Sequence, residues 1–317
     1  MKKRIILDVD MGSDDTVCLW LAMLHRKIKV DGITLVHGNT TMENVRKNIF
    51  KALDMINQNG KVKVYEGESS PIKDYGFNTD DDAHGSNGFS GLIYDEVPGK
   101  IEEISAIDYL INHVNNNPHK ITIIAVGPLT NIAKAILKDK NFAKNIKELI
   151  IMGGAENYGN ITPYAEFNFY KDPAAAKIVF NAPITKIVMM GYNITKKVFI
   201  DHQMEKLLKN STNLKARFLY DISRSCAKIS IESGAAKGAT INDAINICYL
   251  INKSCVLLQK CSIDIETQNL ERLAESKVNY PKKGNCFILK DVNKRKCQQI
   301  IFNTIFPELK KEFKKVI

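Results

Sequence analysis

Near its start the chain runs from the apolar Ile5-Ile6-Leu7 straight into Asp8-Val9-Asp10, a Gly12 turn, and Asp14-Asp15 at the head of an apolar helix. A buried strand that turns directly into a helix is the first half of a β-α-β unit, and this narrows the fold more than any other stretch. Side chains two apart on a strand share a face, so Asp8 and Asp10 can point together at the strand's carboxyl end. Asp14 and Asp15 fall in the first helical turn, where the helix dipole favours negative charge. Four carboxylates within eight residues repel one another, and a hard divalent cation bound through oxygen would hold them together. A solvated acidic turn with one Asp as a helix cap is the plainer alternative.

The alternation continues along the chain. Val17, Leu19, Trp20, Leu21, Met23 and Leu24 make the helix over 14–25 apolar nearly all round, so it is expected to be buried. Residues 30–36 read as a second strand, running into His37-Gly38-Asn39-Thr40. A helix over 41–57 follows, with Thr40-x-x-Glu43 in the form of a capping box, and then a third strand over 62–65. This β-α-β-α-β order indicates a parallel sheet covered by helices. The rhythm breaks over 67–100, which holds Asp80-Asp81-Asp82 and a glycine-rich run over 84–91 of the kind that forms lids or binding loops. It resumes with strands over 121–125, 149–152 and 184–190, helices over 105–116, 173–180 and up to 138, and a polar loop over 155–170. Two helices are expected over 201–231, a loop over 234–238, and a helix opened by Asn242-Asp243. Antiparallel strands over 256–267, another strand over 285–289 and one or two closing helices complete the chain. No linker or internal repeat interrupts residues 1–317, so one domain is expected.

Composition excludes some classes of function. No apolar run approaches the ~20 residues of a membrane-spanning helix. The basic Met1-Lys2-Lys3-Arg4 precedes an apolar run too short for a signal-peptide core. The seven cysteines are scattered, odd in number and without a Cys-x-x-Cys pair, which fits reduced thiols in the cytoplasm. The net charge of +10 is mostly lysine spread along the chain, densest at Lys282-Lys283, Lys294-Arg295-Lys296, Lys310-Lys311 and Lys314-Lys315. Nucleic-acid binders concentrate charge and interleave aromatic or glycine-rich elements. Solvated helix faces explain this pattern better, so neither nucleic acid nor membrane is expected as a partner.

Ligands of open α/β sheets bind outside the carboxyl ends of the strands. Those ends carry Asp8 and Asp10, Asn39, the Val126-Gly127 backbone, and Gly153-Gly154 with its polar loop. Acids, amides and glycines at one edge suit a polyhydroxylated ligand, although Asn and Asp also favour such positions simply as turn formers.

The opening Asp-x-Asp-x-Gly-x-Asp-Asp resembles the signature of the inosine–uridine-preferring nucleoside hydrolases. His37-Gly38-Asn39-Thr40, the stretch from Ala125 through Gly127-Pro128-Leu129-Thr130-Asn131, Met152-Gly153-Gly154, the run from Asn160 to Asn168, and Asn242-Asp243 are similar to that family too, in family order. The resemblance implies an open α/β/α sandwich with a mostly parallel, Rossmann-like sheet and a few antiparallel strands. It implies cleavage of ribonucleosides to ribose and base, and a homodimer or homotetramer. It further implies a calcium ion held by Asp10, Asp15, Asp243 and the Val126 carbonyl. Asp14 would hold the ribose 2′-hydroxyl and the attacking water, with Asp10 as the base. Asn168 and Asp243 would hold the other ring hydroxyl; Asn160, Glu166 and the Met152 backbone would take the 5′ end. Asn39 would lie beneath the sugar, and Asp8 would steady the other aspartates.

The sequence departs from the family beside Asp243. Many members carry there a histidine proposed to protonate the departing base, and this chain has Asn242. An amide donates a hydrogen bond but is no general acid at neutral pH. Leaving-group activation then comes from elsewhere, such as His84 or Tyr220, or activity is weak, or the chain binds nucleosides on the same scaffold without turnover. His84 lies in a run resembling the family's closing loop. Thr40, where the purine-specific branch has an acid, argues against strict purine preference, and Trp20, the only tryptophan, sits in a buried helix. A haloacid-dehalogenase-like phosphatase also begins with a strand and Asp-x-Asp, but its later acidic metal loop is missing and it leaves Asp14-Asp15 unexplained.

Overall fold

The computed structural model describes residues 2–76, 82–280 and 284–317. Asp80, Asp81, Lys282 and Lys283, noted above, lie outside them. In chain order the strands are β1 (Lys3–Val9), β2 (Ile28–Leu35), β3 (Val64–Glu66), β4 (Thr122–Ala125), β5 (Glu148–Met152) and β6 (Ile187–Met190). β7 (Phe199–Asp201), β8 (Gly238–Thr240), β9 (Val256–Ile265), β10 (Ser276–Asn279) and β11 (Cys286–Val292) follow.

Among the described residues, nine strands form one sheet in the order β10-β9-β11-β6-β5-β4-β1-β2-β3, and β7 pairs with β8 in a separate ribbon. Pairing is parallel from β3 through β11, and β9 is antiparallel to both β11 and β10. The order of the first six strands reverses between β1 and β4. That switch point is where an open sheet leaves a crevice for a ligand.

Strand periodicity divides the core into two layers. Ile5, Leu7 and Val9 of β1 pack into one cluster with Ile124, Ile150 and Val188, while Ile6 packs into the other with Ile123, Leu149, Ile151 and Ile187. Helices cover both faces, so the parallel strands read as unbroken apolar runs. The helix Ser13–Leu24 is buried as expected. Trp20 is wholly enclosed against Phe218 and Phe306, and its indole N–H donates to Ala52 O at 2.7 Å.

Several expectations need correction. The helix after β2 is Met42–Asp54, and Thr41, not Thr40, caps it by accepting from Asn44 N. Thr40 lies one residue too early, and its hydroxyl donates to Ser86 O. Three helices, not two, occupy the stretch after β7: His202–Lys209, Leu214–Ile222 and Arg224–Glu232. The expected loop over 234–238 runs into β8, where Gly238 sits so close to β7 that a Cβ would lie 1.9 Å from Ile200 O. The expected strands over 256–267 are one ten-residue strand, β9. The short helices Phe142–Asn145, Phe167–Lys171 and Tyr192–Thr195 were not anticipated.

Candidate active site

The turn after β1 is braced by its own carboxylates. Asp15 Oδ1 accepts from Asp10 N at 3.1 Å, and Asp15 Oδ2 accepts from Gly12 N at 2.8 Å and Asn39 Nδ2 at 3.1 Å. Asp10 Oδ2 accepts from Asn39 N at 3.0 Å, and Asp10 Oδ1 is buried without a partner among the described residues. Gly38 makes this approach possible, since a Cβ there would lie 2.0 Å from Asp10 Oδ2. Met11 holds a left-handed backbone (φ 38°), and Asn48 Nδ2 ties its carbonyl at 3.0 Å. Such a conformation costs a non-glycine residue about 1–3 kcal/mol and persists only where its surroundings enforce it. Asp8 lies deeper, where Thr34 Oγ1 and Asn131 Nδ2 donate to its Oδ1 at 2.5 and 2.8 Å.

Asp14 faces a cavity of about 230 Å³ at the switch point. Two residues from distant segments bracket its carboxylate. Asn242 Nδ2 donates to Oδ2 at 3.2 Å, and His84 Nε2 stands 3.6 Å from Oδ1. Ser13 N donates to His84 Nδ1 at 3.2 Å, which assigns the ring proton to Nε2, on the side of Asp14. Asn242 accepts from Thr195 Oγ1 at 2.9 Å and also donates to Thr240 Oγ1 at 3.1 Å. Its amide is thus committed to protein partners.

The ends of β4 and β5 supply the next wall. Asn168 Nδ2 donates to Val126 O at 2.8 Å and Met152 O at 3.0 Å. Glu166 caps the helix Phe167–Lys171, and its Oε2 accepts from Gly154 N at 2.7 Å. Asn160 Oδ1 accepts from Phe167 N at 3.0 Å. The structure therefore gathers Asp14, Asn39, His84, Val126, Met152, Asn160, Glu166, Asn168, Asn242 and Asp243 around one cavity, with Asp10 and Asp15 packed behind.

Tyr220 does not join them. It lines a separate crevice with Ile200 and Glu205, because its helix turns that face away from the sheet edge. The sequence reading did not single out Tyr158, Tyr192, Cys226 or Ser230, which line the same cavity. Cys226 and Ser230 share a face of the helix Arg224–Glu232, four residues apart, and that spacing was the available signal. The His84 segment docks where this helix follows Leu214–Ile222, with Ser90 Oγ donating to Ile222 O and accepting from Ser225 N.

Burial and mutual repulsion dominate the electrostatics. Burial pushes Asp8 up to about 7. Burial, then Asp14, raises Asp15 to about 6. Asp10 and Asp243 are raised well above the ordinary carboxylate range, first by burial and then by neighbouring aspartates. Asp14, Asp15 and Asp243 offer carboxylate oxygens within 4.8 Å of one another. At an effective dielectric near 20, each such ionised pair repels by about 3.5 kcal/mol, or about 10 kcal/mol over three pairs. A fold's whole stability is about 5–15 kcal/mol. The cluster must therefore hold protons or a cation, and its all-oxygen donors with the unpartnered Asp10 Oδ1 fit a hard cation. This triad includes Asp14, which the sequence reading kept for the sugar, in addition to Asp15 and Asp243.

Comparison with known proteins points to one family. A family model described as inosine-uridine preferring nucleoside hydrolase matches residues 5–299. A probable uridine nucleosidase of Oryza sativa subsp. japonica is 33% identical over 274 residues, covering 85% of this chain and 80% of its own. The pyrimidine-specific ribonucleoside hydrolase RihB of Escherichia coli is 31% identical, covering 84% of each chain. The solved structure of a plant nucleoside hydrolase, the PpNRh1 enzyme, superposes with a TM-score of 0.86 at 25% identity, over 96% of this chain and 99% of that one.

Proposed function

The chain belongs to the inosine–uridine preferring nucleoside hydrolase family, and on that premise we propose that it cleaves purine or pyrimidine ribonucleosides to ribose and free base with a calcium ion at the cavity floor. The observation that carries this reading is the Asp14, Asp15 and Asp243 cluster opening into a cavity walled by amides. Asp10, Asp15, Asp243 and the Val126 carbonyl would hold the ion, with Asp14 near enough to share it. When bound, the ion supplies positive charge that acidifies water and orients the sugar's vicinal hydroxyls.

The chain's own groups do the rest. Asp14 holds the 2′-hydroxyl and aims the water at C1′, and Asp10 accepts the proton the water loses. The water oxygen bonds to C1′ as the C1′–N bond breaks, and that bond's electron pair leaves with the base. Positive charge grows on the ribose ring during this step. The carboxylates of Asp14 and Asp243 and the amide oxygens of Asn39 and Asn168 surround the ring and oppose that charge. Glu166, Asn160 and the Met152 backbone take the 5′ end. Asn242 has no hydrogen left for the base. His84 supports the departing base through Nε2–H, with Ser13 holding its Nδ1.

The relatives named for uridine and pyrimidines, together with Thr40 and the enclosed Trp20, favour pyrimidine ribonucleosides as first substrates. Cytoplasmic location and a homodimer or homotetramer belong to the same proposal. The test is ribose release from uridine and from inosine, with and without chelator. Calcium-dependent release from either supports the reading. Tight calcium-dependent nucleoside binding with no release from either would leave the second reading, a binding protein whose Asn242 replaces an acid.

A further inference from the structure

Asn242 steers Asp14 only if its amide points the right way, and the structure holds one group that sets this. Thr195 is wholly buried at the end of the helix Tyr192–Thr195, and its hydroxyl donates to Asn242 Oδ1 at 2.9 Å. Both Nδ2 hydrogens are then free to point at Asp14 Oδ2 and Thr240 Oγ1, at 3.2 and 3.1 Å. An ionised carboxylate accepts and cannot donate. A flipped amide would set its carbonyl against Asp14 and turn the Thr195 hydroxyl from donor to acceptor, depriving its hydrogen of the Oδ1 it now meets.

Accepting the hydrolase reading, we propose that Thr195 is a positioning residue whose hydroxyl locks the Asn242 amide with its N–H toward Asp14, and so sets the angle at which Asp14 meets the sugar and the water. The backbone around it is fixed. Thr195 N donates to Gly191 O at 3.1 Å, and Thr195 O accepts from Val198 N at 3.0 Å. The ribbon carries Asn242 to the same place, as Phe199 pairs with Thr240 and Ile241 N donates to Val198 O at 2.9 Å. A β-branched side chain has few alternative rotamers, so the hydroxyl is presented in one direction. Thr195 touches neither the cavity nor the acidic cluster, and acts only through Asn242.

The test is a double-mutant cycle on the full chain: Thr195→Val, Asn242→Ala and both, with Thr195→Ser as the rescue. Turnover of uridine and its affinity by calorimetry, both with calcium, are the readouts. Loss of a hydrogen bond that orients a site residue costs roughly 10–100-fold. Thr195→Val is expected to lower kcat by that factor with a smaller change in KM, Thr195→Ser to stay within about threefold, and Thr195→Val to add less than about twofold in the Asn242→Ala background. An equal cost in both backgrounds, or a serine variant as impaired as the valine one, overturns the proposal, since either means that Thr195 only fills space. Thr195→Ala replaces the valine variant if that chain does not fold. A wild-type chain that releases ribose from neither uridine nor inosine sinks the hydrolase reading alone, and the cycle read in uridine affinity still decides for or against Thr195.

Discussion

At the floor of the cavity, Asp10, Asp14 and Asp15 come from one turn but are braced by Asn39 and Asn242, brought in from other strand ends. The opposite wall is more local. Cys226, Ile229 and Ser230 come from a single helix, and the contacts of their polar atoms stay near it: Cys226 Sγ meets Ser230 Oγ at 3.9 Å and Thr240 Oγ1 at 3.5 Å. The floor is a cross-linked network in which one change disturbs several partners. The wall is less cross-linked, and Cys226 is tied to the floor through Thr240 Oγ1, which also accepts from Asn242. In the proposed reading the floor handles the sugar, common to all ribonucleosides, and the wall handles the base, which varies.

The strongest way to break this contrast is at the floor. Asp10→Asn removes the proposed base and should lower kcat by roughly 10²–10⁴-fold for uridine and inosine alike. Steady-state kinetics with both nucleosides check this, and a loss confined to one of them would mean that floor and wall are not separable. At the wall, His84→Gln keeps a hydrogen-bond donor but loses the imidazole. It should cost about 10²-fold with natural nucleosides and much less with a riboside whose leaving group needs no support. An equal loss on both substrates would assign His84 to the sugar side.

The smallest effect is thermodynamic. Burial pushes Asp15 in the folded chain up to about 6, above the ordinary carboxylate range, and Asp10 and Asp243 shift the same way. The folded state therefore binds more protons than the unfolded one in this window. Without a cation, these groups' contribution to stability is present at low pH and is lost as pH rises from near 4 through about 6. Calcium must displace those protons, so its stabilisation should be small at pH 5 and grow toward pH 7. A hundredfold excess over Kd then gives about 2.7 kcal/mol. Thermal melts at matched calcium across that range measure it, and a pH-independent gain would place the ion away from these carboxylates.

What the sequence disclosed follows the same division. Asp8 to Asp15, His37 to Thr40, the Val126-Gly127 turn and Gly153-Gly154 lie at the ends of apolar strands, where local pattern and turn chemistry both speak. The sheet's parallel half was legible for that reason. β7 and β8 were not, since each has three residues and they pair with each other only across three intervening helices. The helix Phe167–Lys171 is a five-residue turn hidden in a polar loop. Asn242 could be seen as a departure, but its meaning depends on Thr195, 47 residues earlier, and no local pattern carries a contact of that kind. Tyr220 was misplaced because helical spacing does not say which face meets the sheet edge.

The bond from Asn242 to Asp14 spans 228 residues. During synthesis at about 5–20 residues per second, the aspartates leave the ribosome roughly 10–50 s before the segment that completes their site. For that interval the chain carries an unfinished acidic turn. The candidate site is thus completed only after three quarters of the chain has been made, although its first residues are among the earliest made.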